Sequence, residues 1–268
     1  MGLFYNSETA GSGVSKNQTK KPFFRFWELF FNKFGTFFRI NLVYFLFCIP
    51  IVTIGPATAA MTAMMRNIYL EKPQFIFHDF WILFKKNFKQ SVFIGILDAL
   101  AIAGSFLLIS YFPQISDDDT SMKIAFGLSM AAEVIFLMMN FYIYPQIAVL
   151  DLRLSQIVKN SIILVCANPV GELIALAFFV GYGTLVISFP LVMLCLSPFL
   201  PLAWLSFISF FCCYPAVRKY LIDPYYEKSG EKNPEIPDSG EAVFKDSGGS
   251  DKPLERKSEK KHGKKVIK

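Results

Sequence analysis

Residues 23–34 read FFRFWELFFNKF and residues 77–88 read FHDFWILFKKNF. Phe23, Phe26, Trp27, Phe30 and Phe34 are answered 54 positions later by Phe77, Phe80, Trp81, Phe84 and Phe88, with Leu29 answered by Leu83. Offsets of 0, 3, 4, 7 and 11 lie on one face of an α-helix, and self-similarity at a fixed spacing marks repeated supersecondary units. Each ladder runs directly into a long apolar segment. An aromatic face with charges opposite, ahead of an apolar run, predicts a helix lying at the membrane interface, anchored by Trp27, Trp81, Phe84 and Phe88.

The composition around the ladders is too apolar for a soluble domain. The chain is 53% hydrophobic with 30 Phe in 268 residues, whereas ordinary globular chains sit at about 45–50% even with glycine counted as apolar. Residues 41–65, 91–112, 124–144 and 171–214 carry very few charges. A helix needs about 20 apolar residues to cross the hydrocarbon core, so these runs predict an all-α, multi-pass membrane bundle. The first 22 residues are polar, and the first apolar run is too long for a signal peptide and lacks a small-residue cleavage site. They are expected to form a flexible N-terminal segment, with residues 23–222 as the membrane domain. Residues 223–268, rich in Pro, Gly, Ser, Lys and Glu, read as a disordered, charged, cytoplasmic tail.

The net charge of +6 sits largely in tails and in loops beside spans, where it sets topology and makes no case for nucleic acid. Five cysteines lie in or beside apolar runs, and the two histidines are His78 and His262. Neither a metal site nor a disulfide framework follows from them, and nothing calls for a cofactor.

Topology follows from the positive-inside rule. Lys20, Lys21, Arg25, Lys33 and Arg39 place the N-terminal approach in the cytoplasm, and Arg66, Lys72, Lys85, Lys86 and Lys89 place the next polar stretch there too. Residues 36–70 must therefore cross twice, or dip in and return. Gly55-Pro56 supplies the turn, with Pro56 suited to the first position of a new helix. The second helix, from Pro56 to Leu70, is about 22 Å long, either a thin span or a re-entrant segment. Beyond it, residues 91–112 lead out to an acidic loop (Asp117, Asp118, Asp119) and residues 122–145 return. Residues 170–189 lead out again, and 198–215 return to Arg218 and Lys219. The expectation is six spans in three hairpins, each preceded by an amphipathic interfacial helix, with both termini cytoplasmic. The third such helix is carried by Leu154, Ile157, Val158 and Val165, with Arg153, Gln156, Lys159 and Asn160 on its polar side.

Gly55-Pro56-Ala57-Thr58-Ala59-Ala60 with Arg66-Asn67, then Asp79-Phe80-Trp81 with Phe84-Lys85-Lys86-Asn87-Phe88-Lys89-Gln90, resembles the signature of the YesL-like family of bacterial integral membrane proteins of unknown function. The resemblance covers roughly residues 23–220 and is most specific over 55–90. Later hairpins match mainly in hydropathy and in Lys159-Asn160 and Asn168-Pro169. It implies a multi-pass protein of the bacterial cell membrane, often encoded beside carbohydrate-uptake transporters of the ATP-binding-cassette type, whose subunits become candidate partners. It implies no catalytic residues.

Candidate sites come from polar groups inside spans, where a charge costs on the order of 2.5–3.5 kcal/mol at mid-helix. Glu133 lies near the middle of residues 122–145, and Asn140, seven residues on, shares its face with Tyr144. Counted from the cytoplasmic end, Asn140 and Asp98 reach similar depths. Asp98, Glu133 and Asn140 are expected to form an intramembrane polar strip, as a coupling site or as interhelical glue. Gly55 and Pro56 form either a re-entrant tip lining a path or a plain outer turn. No Gly-x-x-x-x-Gly-Lys, His-Glu-x-x-His or Gly-x-Ser-x-Gly occurs, and His78 beside Asp79 reads as capping, so no enzyme is expected. The function expected is a non-catalytic component associated with carbohydrate uptake, the alternative a small-solute carrier or pore.

Overall fold

A computed structural model describes residues 22–111, 120–199, 201–230, 233 and 235. The flexible segment expected at the N-terminus, the acidic loop Asp117–Asp119 and the tail past 235 lie outside them. The chain forms two compact units, Met1–Phe34 and Gly35–Lys268. Every regular element described is helical. In order these are α1 (Pro22–Asn32), α2 (Phe34–Phe47), α3 (Ile54–Tyr69), α4 (Ile76–Tyr111), α5 (Thr120–Val149), α6 (Leu154–Ala167), α7 (Pro169–Ser188), α8 (Pro190–Leu196), α9 (Pro201–Val217) and α10 (Asp223–Ser229).

In the first unit, α1 carries the first ladder. Phe26 stacks on Phe30 with ring centroids 6.3 Å apart, and Trp27 meets Phe30 edge-on at 5.9 Å. In the second unit the second ladder is buried in part alike: Phe30 and Phe84 are equally buried and Trp27 and Trp81 stay exposed, but Phe80 is fully buried where Phe26 is half-buried.

The second ladder does not form a separate interfacial helix. It occupies the first turns of α4, one helix of 36 residues and about 54 Å. No Pro or Gly interrupts 76–94, so the hydrogen-bond ladder propagates straight into the apolar half. Nor does the ladder simply face lipid. Phe47, the last residue of α2, sits among Phe77, Phe80, Trp81 and Phe84 at centroid distances of 5.0–6.2 Å. Phe84 is buried and is no anchor; of the ladder's proposed anchors, Trp81 and Phe88 keep an exposed edge.

Six spans were expected, yet four helical stretches among the described residues are long and apolar enough to cross: 76–111, 120–149, 169–188 and 201–229. At 14 and 16 residues, α2 and α3 reach only about 21 and 24 Å, short of a core about 30 Å thick. Moreover, α3 pairs with α4 and not with α2 in a hairpin. A Cβ added at Gly55 would lie 2.2 Å from the Ser91 carbonyl oxygen and 2.9 Å from Gly95 Cα. Gly55 and Ala59 on α3, and Ser91 and Gly95 on α4, are small residues four apart, the pattern that lets helix backbones touch. Since α3 ends at Tyr69 and α4 begins at Ile76, the two run antiparallel, and α3 covers the basic, ladder-bearing half of α4.

Between α2 and α3 the chain turns at Cys48-Ile49-Pro50 because Pro50 disfavours helix in the residue before it. Ile49, Ile51 and Val52 there are exposed. The Thr53 hydroxyl donates to the carbonyls of Phe47 and Pro50 at 2.5 and 2.6 Å, so carbonyls left over at the turn are satisfied within it. Farther on, Ala59, Ile94, Ile143, Tyr144, Ile147 and Ile157 pack into one core joining α3, α4, α5 and α6. In α6 the buried face is Ile157, Ser161 and Leu164, with Ser161 accepting from Gln146 Nε2 on α5 at 2.9 Å. Order also extends into the stretch expected to be disordered, since 223–229 form α10.

Candidate polar cavity within the helices

Antiparallel packing of α4 and α5 brings Asp98 and Asn140 together. Asn140 Nδ2 donates to Asp98 Oδ1 at 2.8 Å, and the Tyr144 hydroxyl donates to Oδ2 at 2.5 Å. Both carboxylate oxygens thus have donors, the condition for keeping a carboxylate among apolar helices. Glu133 does not join this group. It lies two turns from Asn140 along α5, and its Oε2 accepts from Ser105 Oγ on α4, while Oε1 lies where a Cβ on Gly104 would be 3.3 Å away. The expected strip is two clusters on one helix pair.

Both clusters line a cavity of about 560 Å³. Tyr44 comes from α2, Thr58 and Thr62 from α3, and Ser206 and Ser209 from α9. The Tyr44 hydroxyl lies 3.3 Å from Thr58 Oγ1. Ile51 of the turn and Ile54 at the start of α3 also face the cavity, whereas Gly55 and Pro56 are buried, Gly55 against α4. The turn expected at Gly55-Pro56 thus lies at 48–53 and opens on the same cavity as Asp98, while Gly55, inside α3, serves contact, not lining. A larger cavity, about 710 Å³, lies among α7, α8 and α9 and is almost wholly apolar, bounded by residues such as Phe178, Leu185 and Trp204. In a bilayer such a groove suits acyl chains and offers no chemistry.

Two polar groups stand outside the sequence expectation. Glu172, in the first turn of α7, is fully buried, and neither carboxylate oxygen has a hydrogen-bond partner among the described residues. Its position suits the positive end of the α7 dipole. Nearby, Asn168 Nδ2 donates to the Cys212 carbonyl at 3.2 Å, and a Cβ on Gly171 would meet that same oxygen at 2.6 Å. The sequence signal was Asn168-Pro169 followed by an acid within one turn. The second group is Arg66, which meets Glu235 across the fold. By contrast, His78 and Asp79 form the start of α4: Asp79 Oδ2 accepts from the Phe75 N–H at 2.8 Å. No group of three His, Cys, Asp or Glu side chains able to hold a metal ion occurs among the described residues.

No curated protein and no solved structure shows a significant match to the chain. Residues 37–111 match a family described as "Protein of unknown function, DUF624". The matched segment runs from α2 through α4, so it holds the turn, Gly55, the second ladder and Asp98 but neither Glu133 nor Asn140. Over that part the chain is similar to an uncharacterised family, which brings no activity with it.

Proposed function

We propose that this integral membrane protein binds a small, donor-rich solute, one bearing hydroxyl or ammonium groups, in the cavity between α3, α4, α5 and α9, as a non-catalytic carrier or pore. The observation that carries the reading is the cavity itself, where two acids from facing helices share a lining with seven hydroxyl-bearing side chains. Acceptor oxygens placed among neutral polar groups suit ligands that donate hydrogen bonds. Purified protein in liposomes tests this. Flux or binding of such a solute should fall at least tenfold in Asp98→Asn and Glu133→Gln together. Unaltered flux in that double variant sinks the reading.

The topology proposed with it has four spans, both termini on the cytoplasmic face of the cell membrane, and α2–α3 entering and leaving from that face. It rests on basic residues 66, 72, 85, 86 and 89 flanking α3 and starting α4, and on the shortness of both helices. A second reading, partner of a carbohydrate-uptake transporter, draws on the YesL-like resemblance and on Lys85, Lys86 and Lys89, all exposed along one stretch of α4. Co-purification of transporter subunits with a tagged copy, and no solute flux from the protein alone, is its expected outcome.

A further inference from the structure

Beyond α10, Asn233 and Glu235 lie against the end of the bundle that carries Arg66 and Arg218. After α10, Gly230 turns the backbone at φ 67° with its N–H on the Tyr226 carbonyl. Glu235 then reaches Arg66 of α3 and Tyr214 of α9. Arg66 Nε and Nη2 donate to Glu235 Oε1 at 2.9 and 2.5 Å, and the Tyr214 hydroxyl donates to the same oxygen at 2.5 Å. The Glu235 side chain has no exposed surface, and that of Arg66 is 10% exposed.

Asn233 and Glu235 have their own scaffold. The Glu235 N–H donates to Asn233 Oδ1 at 2.9 Å, and Asn233 Nδ2 donates to Asp223 Oδ1 at 3.0 Å. Asp223 in turn faces Arg218 Nε at 3.5 Å. Glu235 Oε2 is buried with no hydrogen-bond partner among the described residues, so the seat holds this carboxylate chiefly through one oxygen. A guanidinium fork with an added hydroxyl is the donor set that recognises a carboxylate. Its position matters as well. Arg66 follows Thr62 by one turn of α3, and Tyr214 lies five residues past Ser209 on α9; Thr62 and Ser209 both line the polar cavity.

We propose that Arg66 and Tyr214 form a carboxylate-binding seat whose occupant is the chain's own Glu235, so that α10 with Asn233 and Glu235 acts as a latch at this end of the bundle. The latch holds by burying two opposite charges together. Removing Glu235 takes away the carboxylate on which Arg66 and Tyr214 converge, a place that a free carboxylate can fill. Nothing in this depends on whether the cavity takes a solute.

Hydrogen exchange on the full chain in nanodiscs tests the latch, with residues 141–149 of α5 as the internal measure of the fold. In the unaltered protein the amides of α10, Asn233 and Glu235 should be protected. In Glu235→Gln and Glu235→Ala they should exchange at least tenfold faster while 141–149 stay unchanged. Sodium acetate should raise the melting temperature of Glu235→Ala more than equal sodium chloride does, and should not do so for the unaltered protein. Wild-type protection of these amides in Glu235→Ala overturns the proposal, as does an acetate response equal in both proteins. Should 141–149 also loosen in the Glu235 variants, Asn233→Ala decides, because its side-chain hydrogen bonds run to Asp223 and Glu235 within the latch and not to the seat. Faster exchange confined to the same amides then supports the latch, and unchanged protection there refutes it.

Discussion

At Glu71 the backbone adopts φ 54°, a left-handed conformation that costs a non-glycine residue about 1–2 kcal/mol. The cause is the end of α3. The Lys72 N–H bonds to the Asn67 carbonyl and the Glu71 N–H to the Ile68 carbonyl, the paired closure that normally takes glycine at the position of Glu71. Glu71→Gly should therefore stabilise the protein by about 1 kcal/mol, read as a higher midpoint of thermal unfolding in detergent. Thr53 acts in the opposite sense, since its hydroxyl covers two carbonyls at an apolar tip. Thr53→Val should cost about 1–3 kcal/mol with the side-chain shape kept, measured in the same assay. Neither role was legible beforehand. A positive φ at a glutamate leaves no compositional trace, and a threonine between apolar residues looks like any other β-branched residue.

Among the elements, the contact between α3 and α4 carries the architecture. Gly55→Ala drives a methyl group into the backbone of α4, where neither partner has a flexible side chain to move aside. A loss of about 3 kcal/mol is expected. Gly181→Ala, with nothing within 4 Å of the added carbon, should leave stability unchanged or raise it by up to about 1 kcal/mol. Equal melting temperatures for the two variants would remove the basis for the pairing. A break in the apolar run was legible from sequence, but it was expected at Gly55-Pro56, whereas the turn lies at 48–53 and both residues sit inside α3. The partner of Gly55 could not be read, because Ser91 and Gly95 lie where hydropathy marks only the start of a span. The aromatic ladders were legible as helix faces by their spacing. That the second ladder holds Phe47 was not, since nothing local to 77–88 distinguishes a lipid-facing ring from one packed by a distant helix.

For the whole molecule, hydropathy identified the long helices, and equal counted depth pointed to Asp98 and Asn140, which the structure places 2.8 Å apart. The same counting suggested one strip with Glu133, whereas facing residues on α4, Ser105 among them, divide it into two clusters. Contacts of large sequence separation stayed hidden. Arg66 and Glu235 are 169 positions apart, and the composition around Glu235 signals disorder even though its carboxylate is buried. The proposed four-span topology depends on α2 and α3 dipping to the level of Asp98 without crossing. Thiol labelling with a membrane-impermeant reagent, in a chain whose five native cysteines are replaced, tests that most directly. Asp118→Cys should react from the outside of intact cells, Lys86→Cys only in inverted vesicles, and Ile51→Cys from the outside not at all. Reaction of Ile51→Cys from the outside as fast as Asp118→Cys would mean that α2 and α3 are full spans, and would contradict the account.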